Sequence, residues 1–328
     1  MKNWDETRLD EELNALMNEM PEHTDMEMKI MKSINKRIRK SVFQVFTAIA
    51  LILAVLFLII SPVMNHAFFN PYELNRGEEQ KMLEVMRDYY EIDRPGREVV
   101  DLTVEKKGFS RYKIAMQIID VTEQYVFGNK NVWLDVDMGK YKNITQSGTE
   151  FYPLIGRFQG TLYPDQAERI KQIRELPQSA RIYLSVSDTE LKKVEELRNS
   201  GIQLTWVQVH QPNVDYEGGL SLQPRSLFEE TDNRYKLTEE ELIEVYCENL
   251  KNLIDHEEVW RQLDFNQDQC NPNVPRSRIK LEDTYKDAKT MTVLQTKRYC
   301  LYGKRDEILK FLEKNTLDSI CVDNVILW

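Results

Sequence analysis

The sequence predicts an α+β protein carried on one membrane-crossing helix, and three features of the chain lead there. Val42 to Ser61 is an uncharged apolar run. Glu98–Glu105, Tyr112–Asp120, Gln124–Phe127 and Val132–Asp137 alternate as strands do. Two later stretches, residues 180–210 and 297–327, each read strand, helix, strand. The expected parts are 1–41, a cytoplasmic helical segment; 42–63, the span; 64–96, a stalk; 97–160, a β-rich section; and 161–328, an α/β domain.

In the first segment, Leu9, Leu13, Leu16, Met17 and Met20 recur at spacings of four, three, one and three, which puts them on one face of a short helix. Pro21 ends it. Thr24-Asp25-Met26-Glu27 is a capping box that opens a second helix, and Ile30, Ile34 and Ile38 carry it toward the span. A lone amphipathic helix this short is marginal in water, so its apolar face needs a partner. That face can fold onto the second helix, lie on the membrane, or enter a groove of a cytoplasmic protein. The acids around it suit a basic partner, such as a nucleic-acid-binding protein.

About twenty residues at roughly 1.5 Å rise cross roughly 30 Å of hydrocarbon, the thickness of a bilayer core. Lys29, Lys32, Lys36, Arg37, Arg39 and Lys40 precede the run, and Asn65, His66 and Asn70 follow it. The positive-inside rule then places the N-terminus in the cytoplasm and the remainder outside, as a single-pass cell-membrane protein. A cleaved signal sequence fits poorly, because a long polar preface comes first and no A-x-A site follows. A buried core helix is the other alternative, and the flanking charges argue against it.

The part beyond the span holds 36 basic and 45 acidic side chains, which argues against nucleic acid as a direct partner. The basic run before the span attracts anionic membrane lipid. All four cysteines (Cys247, Cys270, Cys300, Cys321) fall in the outer part, where three pairings are open to them. Cys300 and Cys321 sit in apolar strand-like runs that also suit free buried thiols.

Within the outer part, Met82, Leu83, Val85, Met86, Tyr89 and Tyr90 lie among charges in a helix-like passage, expected as a stalk or first helix. Pro95-Gly96 marks a turn, and Gly128-Asn129-Lys130-Asn131 is expected as a hairpin loop. Further on, 180–210 and 297–327 align at an offset of 117, matching Arg181 with Arg298, Leu184 with Leu301, Leu191 with Ile308 and Val194 with Phe311. Two βαβ units suggest an α/β sandwich of ferredoxin-like type, its sheet covered on one face. Helices Thr238–Glu257 and Lys280–Met291 fall between the copies.

Chemistry-bearing motifs are sparse. The four histidines, His23, His66, His210 and His256, form no HExxH or Cys-His grouping, so no metal or cofactor is expected. Two S-x-x-K strings, Ser33–Lys36 and Ser277–Lys280, lack a K-T-G partner, since Lys289-Thr290 is followed by Met291. Asp135 and Asp137 share a strand face and could hold a cation, though solvation explains them as well. Glu239, Glu240 and Glu241 suit a helix N-terminus. Asn143-Ile144-Thr145 is a glycosylation sequon. Catalysis is not expected.

The layout resembles the sigma factor regulator, or anti-sigma factor, family of Gram-positive bacteria. The likeness rests on KSINKRIRKS feeding directly into the span, on LPQSARIYLSVSDTELKKVEEL leading to IQLTWVQV, and on YCLYGKRDEILKFLEKNTLDSICVDNVILW. It implies that the cytoplasmic part holds a sigma factor inactive while the outer part responds to envelope conditions. One departure is that residues 1–41 contain no cysteine, so the His-x3-Cys-x2-Cys zinc signature of many anti-sigma factors is missing. Leu9, Leu13, Leu16, Met17 and Met20 would then work without metal. At roughly 1.5 kcal/mol per buried side chain, less association costs, their net affinity is modest. The rival reading is an envelope scaffold or ligand-binding protein with a passive anchor.

Overall fold

The computed structural model describes residues 11, 14, 15, 25–77, 80–93, 95–122, 125–148, 166–214, 216–223, 234–263 and 280–327. The chain divides into two units, Met1–Val63 and Met64–Trp328. Helix α1, Asp25–Val55, passes through a widened π turn, Leu56–Ile60, into α2, Ser61–Ala67. Within this helix Met31–Ala67 is long and apolar enough to cross a membrane, and none of its most apolar stretch is buried by the rest of the chain. The π turn precedes Pro62, which cannot donate to the carbonyl four residues back. Instead the Ser61 amide reaches the Leu56 carbonyl.

The second unit opens with α3, Pro71–Leu74, and α4, Lys81–Asp93. Four strands follow: β1 Arg97–Gly108, β2 Arg111–Thr122, β3 Tyr125–Asp137 and β4 Lys140–Gly148. They form an antiparallel sheet in sequence order. Helix α5 is Gln166–Arg174, β5 is Arg181–Lys193, α6 is Val194–Arg198, β6 is Gln203–Gln208 and β7 is Gly219–Ser221. Then come α7 Glu239–Asp255, α8 Glu257–Trp260, α9 Leu281–Ala288, β8 Gln295–Lys304, α10 Arg305–Lys314 and β9 Leu317–Ile326. The second sheet runs β7-β6-β8-β5-β9 with every neighbouring pair antiparallel. The fold is therefore mixed α+β with two antiparallel sheets, and one continuous apolar core joins both sheets to α4 and α7.

Four local expectations are corrected. The Met82–Tyr90 passage, expected as a stalk or first helix, is the helix and not a stalk: Met82, Val85 and Met86 of α4 have no exposed surface, and the helix packs on β1, β7, α7 and α8. Two of its interleaved charges, Asp88 and Glu91, are themselves buried against Asn252 and Arg234, so charge along the sequence does not mark an exposed helix. Gly128–Asn131 is not a hairpin loop, because β3 runs through it, pairing with β2 from Thr122 opposite Tyr125 onward. Asp120 pairs with Gly128 and Ile118 with Lys130. A turn at Gly128 would break these pairings, and continuing the ladder keeps the backbone groups satisfied.

The helix expected in the first strand–helix–strand copy shrinks to Val194–Arg198, because β5 extends to Lys193. Asp188 is buried there, where it accepts from the Tyr299 hydroxyl at 3.0 Å and from the Glu190 amide at 3.0 Å. These bonds hold the chain extended where the pattern suits a helix. Packing on β9 and α10 comes instead from α5, which precedes β5. Finally, the second sheet is not covered on one face only. Tyr183, Trp206, Cys300, Tyr302 and Ile326 form a second buried cluster, and a side chain at Gly96 would meet the Tyr183 hydroxyl at 2.9 Å.

Candidate functional site

The residues that follow the apolar helix in sequence are held by the first sheet through specific contacts. Both nearby hairpins turn in two residues with left-handed backbone: Phe109 and Ser110 at φ 53°, and Met138 and Gly139 at φ 49° and 76°. Such paired left-handed residues match the strand twist of a tight hairpin. The Met138 amide donates to the Ser110 carbonyl at 3.0 Å, which ties the two tips together. Asn65 Oδ1 accepts from the Ser110 amide at 2.7 Å, and the Asn65 carbonyl accepts from Asn70 Nδ2 at 3.2 Å. Asn70 in turn caps α3 by accepting from the Glu73 amide. A side chain at Gly139 would come within 3.2 Å of the Phe69 backbone nitrogen, so a glycine suits both the turn and the contact. Phe69 meets Tyr141 edge to face at 6.5 Å, and the Lys106 ammonium lies 3.6 Å from the centre of the Tyr72 ring.

These tips are pinned from the other side by the chain after α8. Gln262 donates to the Gly139 carbonyl at 2.9 Å and accepts from the Tyr141 amide at 3.0 Å. The Tyr141 hydroxyl donates to the Val259 carbonyl at 2.7 Å. Burial, then the charge of Glu258, raises the Tyr141 pKa, so this hydroxyl stays a neutral donor. Burial likewise raises that of Tyr112, partly offset by the Ser110 hydroxyl.

A second joint fixes α4 to the second sheet. Trp206 Nε1 donates to the Glu91 carbonyl at 2.8 Å. The Glu91 carboxylate pairs with Arg234 and accepts from the Ser221 amide at 3.2 Å, while Arg234 also donates to the Ser221 carbonyl at 3.1 Å. Nearby, Asn252 donates to Asp88 and the Tyr216 hydroxyl donates to Asp93 at 3.3 Å. Glu91 and Arg234 are 6% and 3% exposed, so the pair is a buried one. Helix α4 is thus a strut between the two sheets.

Beside that joint is a hydrogen-bonded polar cluster. Ser185 Oγ donates to Asp323 at 2.5 Å and lies 3.3 Å from Cys300 Sγ. Burial and the Asp323 charge push the Cys300 thiol up to about 12, so it stays protonated and is a poor nucleophile. Cys247 and Cys300 carry free thiols, and burial raises Cys247 as well. Cys270 lies outside the described residues.

Leu9, Leu13, Leu16, Met17 and Met20 all lie outside the described residues, as do Thr24 and Ser277. Asp135 is exposed, accepts from Asn143 Nδ2 at 3.2 Å and sits opposite Lys113, while Asp137 sits opposite Arg111. Among the described residues no three His, Cys, Asp or Glu side chains are grouped to hold a metal ion. Glu241 closes a capping box with Thr238 at the start of α7. His210 Nδ1 lies 2.6 Å from Glu217, which also accepts from the Gln211 amide at 3.0 Å and so closes the loop between β6 and β7. Comparison with family models, curated proteins and solved structures finds no match to this chain. Sequence reasoning missed Asn65, Glu91, Arg234 and Gln262. Nothing in their spacing sets them apart from solvated polar residues.

Proposed function

We propose that this chain is a single-pass membrane regulator. Its cytoplasmic residues 1–41 hold an extracytoplasmic-function sigma factor through Leu9, Leu13, Leu16, Met17 and Met20, and residues 64–328 respond outside to envelope conditions. One observation carries the reading: the helix Met31–Ala67 opens with the basic Lys32–Lys40 run, and none of its most apolar stretch is buried by the rest of the chain. An apolar helical stretch left uncovered by its own chain is at home in lipid, where its backbone is satisfied internally. The basic flank sets the orientation with the N-terminus cytoplasmic.

The second sheet and its helices are proposed to be a ferredoxin-like sandwich. In the second sheet β8 lies between β5 and β6, and β5 lies between β8 and β9. That interleaving of two strand–helix–strand units is the order of a ferredoxin-like sandwich, here with a shortened first helix. The resemblance in sequence to sigma factor regulators supports the same assignment. Asn65 and Phe69 give the outer unit a direct hold on the residues that continue from the helix. A rearrangement of the hairpin tips therefore reaches the chain next to the span.

The test is transcription from a sigma-dependent promoter with Leu13→Asp/Leu16→Asp in the full chain. Derepression with the protein still made at normal level is expected. Unchanged transcription would overturn the regulatory reading in favour of an envelope scaffold or ligand-binding protein on a passive anchor.

A further inference from the structure

The end of the first sheet that holds Asn65 differs in charge and polarity from the rest of its unit. Residues 64–328 carry 36 basic and 45 acidic side chains. Around the two hairpin tips the balance is reversed. Lys106, Lys107, Arg111, Lys113, Lys140 and Lys142 face five acids, Glu73, Glu105, Asp135, Asp137 and the Glu258 that acts on Tyr141. Lys106 is taken up by Glu73 at 3.4 Å and Lys107 by Glu105 at 2.5 Å. Arg111, Lys113, Lys140 and Lys142 are left with Asp135 and Asp137 across the ladder, and all four are exposed. The same tips show two large apolar side chains to solvent, Met138 at 49% and Phe68 at 40%. Phe68 lies beside Gly139, within 3.6 Å of where a side chain there would begin.

Basic side chains ringing exposed apolar ones are what an anionic lipid surface takes up: the cations meet headgroups and the apolar tips enter the interface. Phe68 directly follows Ala67, the last residue of the membrane-long helix, and the hairpin tips are hydrogen-bonded and packed to residues 65–69. The patch therefore begins one residue after the membrane-long helix ends. From this geometry we infer that the surface made by Phe68, Met138, Arg111, Lys113, Lys140 and Lys142 beside the two hairpin tips docks on the anionic lipid surface next to the span. The inference rests on the membrane reading above. It makes lipid charge an input: a headgroup change at the outer leaflet acts on the same tips that hold Asn65.

The test is lysine acylation, read residue by residue by mass spectrometry, on the full chain. The chain is placed in nanodiscs of phosphatidylcholine alone or of phosphatidylcholine with phosphatidylglycerol. Each basic group near an anionic surface changes occupancy about fivefold, so Lys140 and Lys142 should react about fivefold more slowly in the anionic discs. High salt should abolish the difference. Lys286 and Lys310, exposed elsewhere in the unit, should react equally in both. In Lys140→Glu/Lys142→Glu the lipid-dependent slowing at Lys113 should disappear. Extraction of the same chain from vesicles by alkaline carbonate separates the two ideas. If the chain resists extraction but its lysines react equally in both discs, docking is refuted and the span stands. If carbonate releases the chain, the membrane reading fails and the docking inference falls with it.

Discussion

Replacing Arg234 by Met tests whether α4 is a strut of the fold. The guanidinium is 3% exposed and Glu91 is 6% exposed, so the substitution takes the Arg234 charge away from a carboxylate with almost no access to water, while the Ser221 amide stays on it at 3.2 Å. Removing one partner of a buried ion pair costs about 3–5 kcal/mol, far more than the pair is worth against an apolar replacement of both. In a unit of this size each kcal/mol lowers the melting temperature by about 2–4 °C, so a fall of about 6–20 °C is expected. The assay is thermal unfolding of the full chain in detergent, followed by tryptophan fluorescence. Arg234→Met/Glu91→Leu should recover most of the loss, because no charge is then left unpaired. A single substitution that shifts melting by less than about 2 °C, or a double that falls as far as the single, would refute the strut.

Three further outcomes follow from the same structure. Gly219→Ala should lower stability by about 1–3 kcal/mol or more in urea unfolding, since the new methyl would lie 1.7 Å from the Trp206 ring. A neutral result there would mean the indole is not seated on β7. Glu241 is held below its ordinary value of 4.5, first by the Thr238 amide and then by the Thr238 hydroxyl. Its capping therefore stabilises α7 above pH 4.5 and is lost as pH falls through the lowered value. The stability gap between the natural chain and Glu241→Gln should close in acid titration, and a gap that widens on acidification would contradict the sign. Cys300, 2% exposed and pushed up to about 12, should resist a disulfide reagent at pH 8 until the chain unfolds. Modification of the folded protein at that position would show the cluster to be open.

How far the sequence carries depends on whether a feature is periodic. The apolar run at Val42–Ser61, the alternation in Glu98–Glu105, Tyr112–Asp120 and Val132–Asp137, and the acids Glu239, Glu240 and Glu241 of a helix N-terminus are local patterns, and each has its counterpart in the fold. Two local signals misled because tertiary pairing overrode them. Gly128-Asn129 has turn chemistry but continues a ladder, and Thr189–Lys193 has a helical pattern but stays in β5. The joints were not legible at all. Glu91 and Arg234 are 143 residues apart, and Asn65 reaches Ser110 across 45, so no window of sequence contains both partners. The apolar stripe of α4 was visible, but it names a face and not what covers it.

The most direct test of the central claim is a pull-down from detergent extracts with the full chain as bait, beside a Leu13→Asp/Leu16→Asp control. The account predicts that the natural chain recovers a sigma factor and the control does not. Equal recovery by both, or no sigma factor with either under conditions that keep weak complexes, would contradict it.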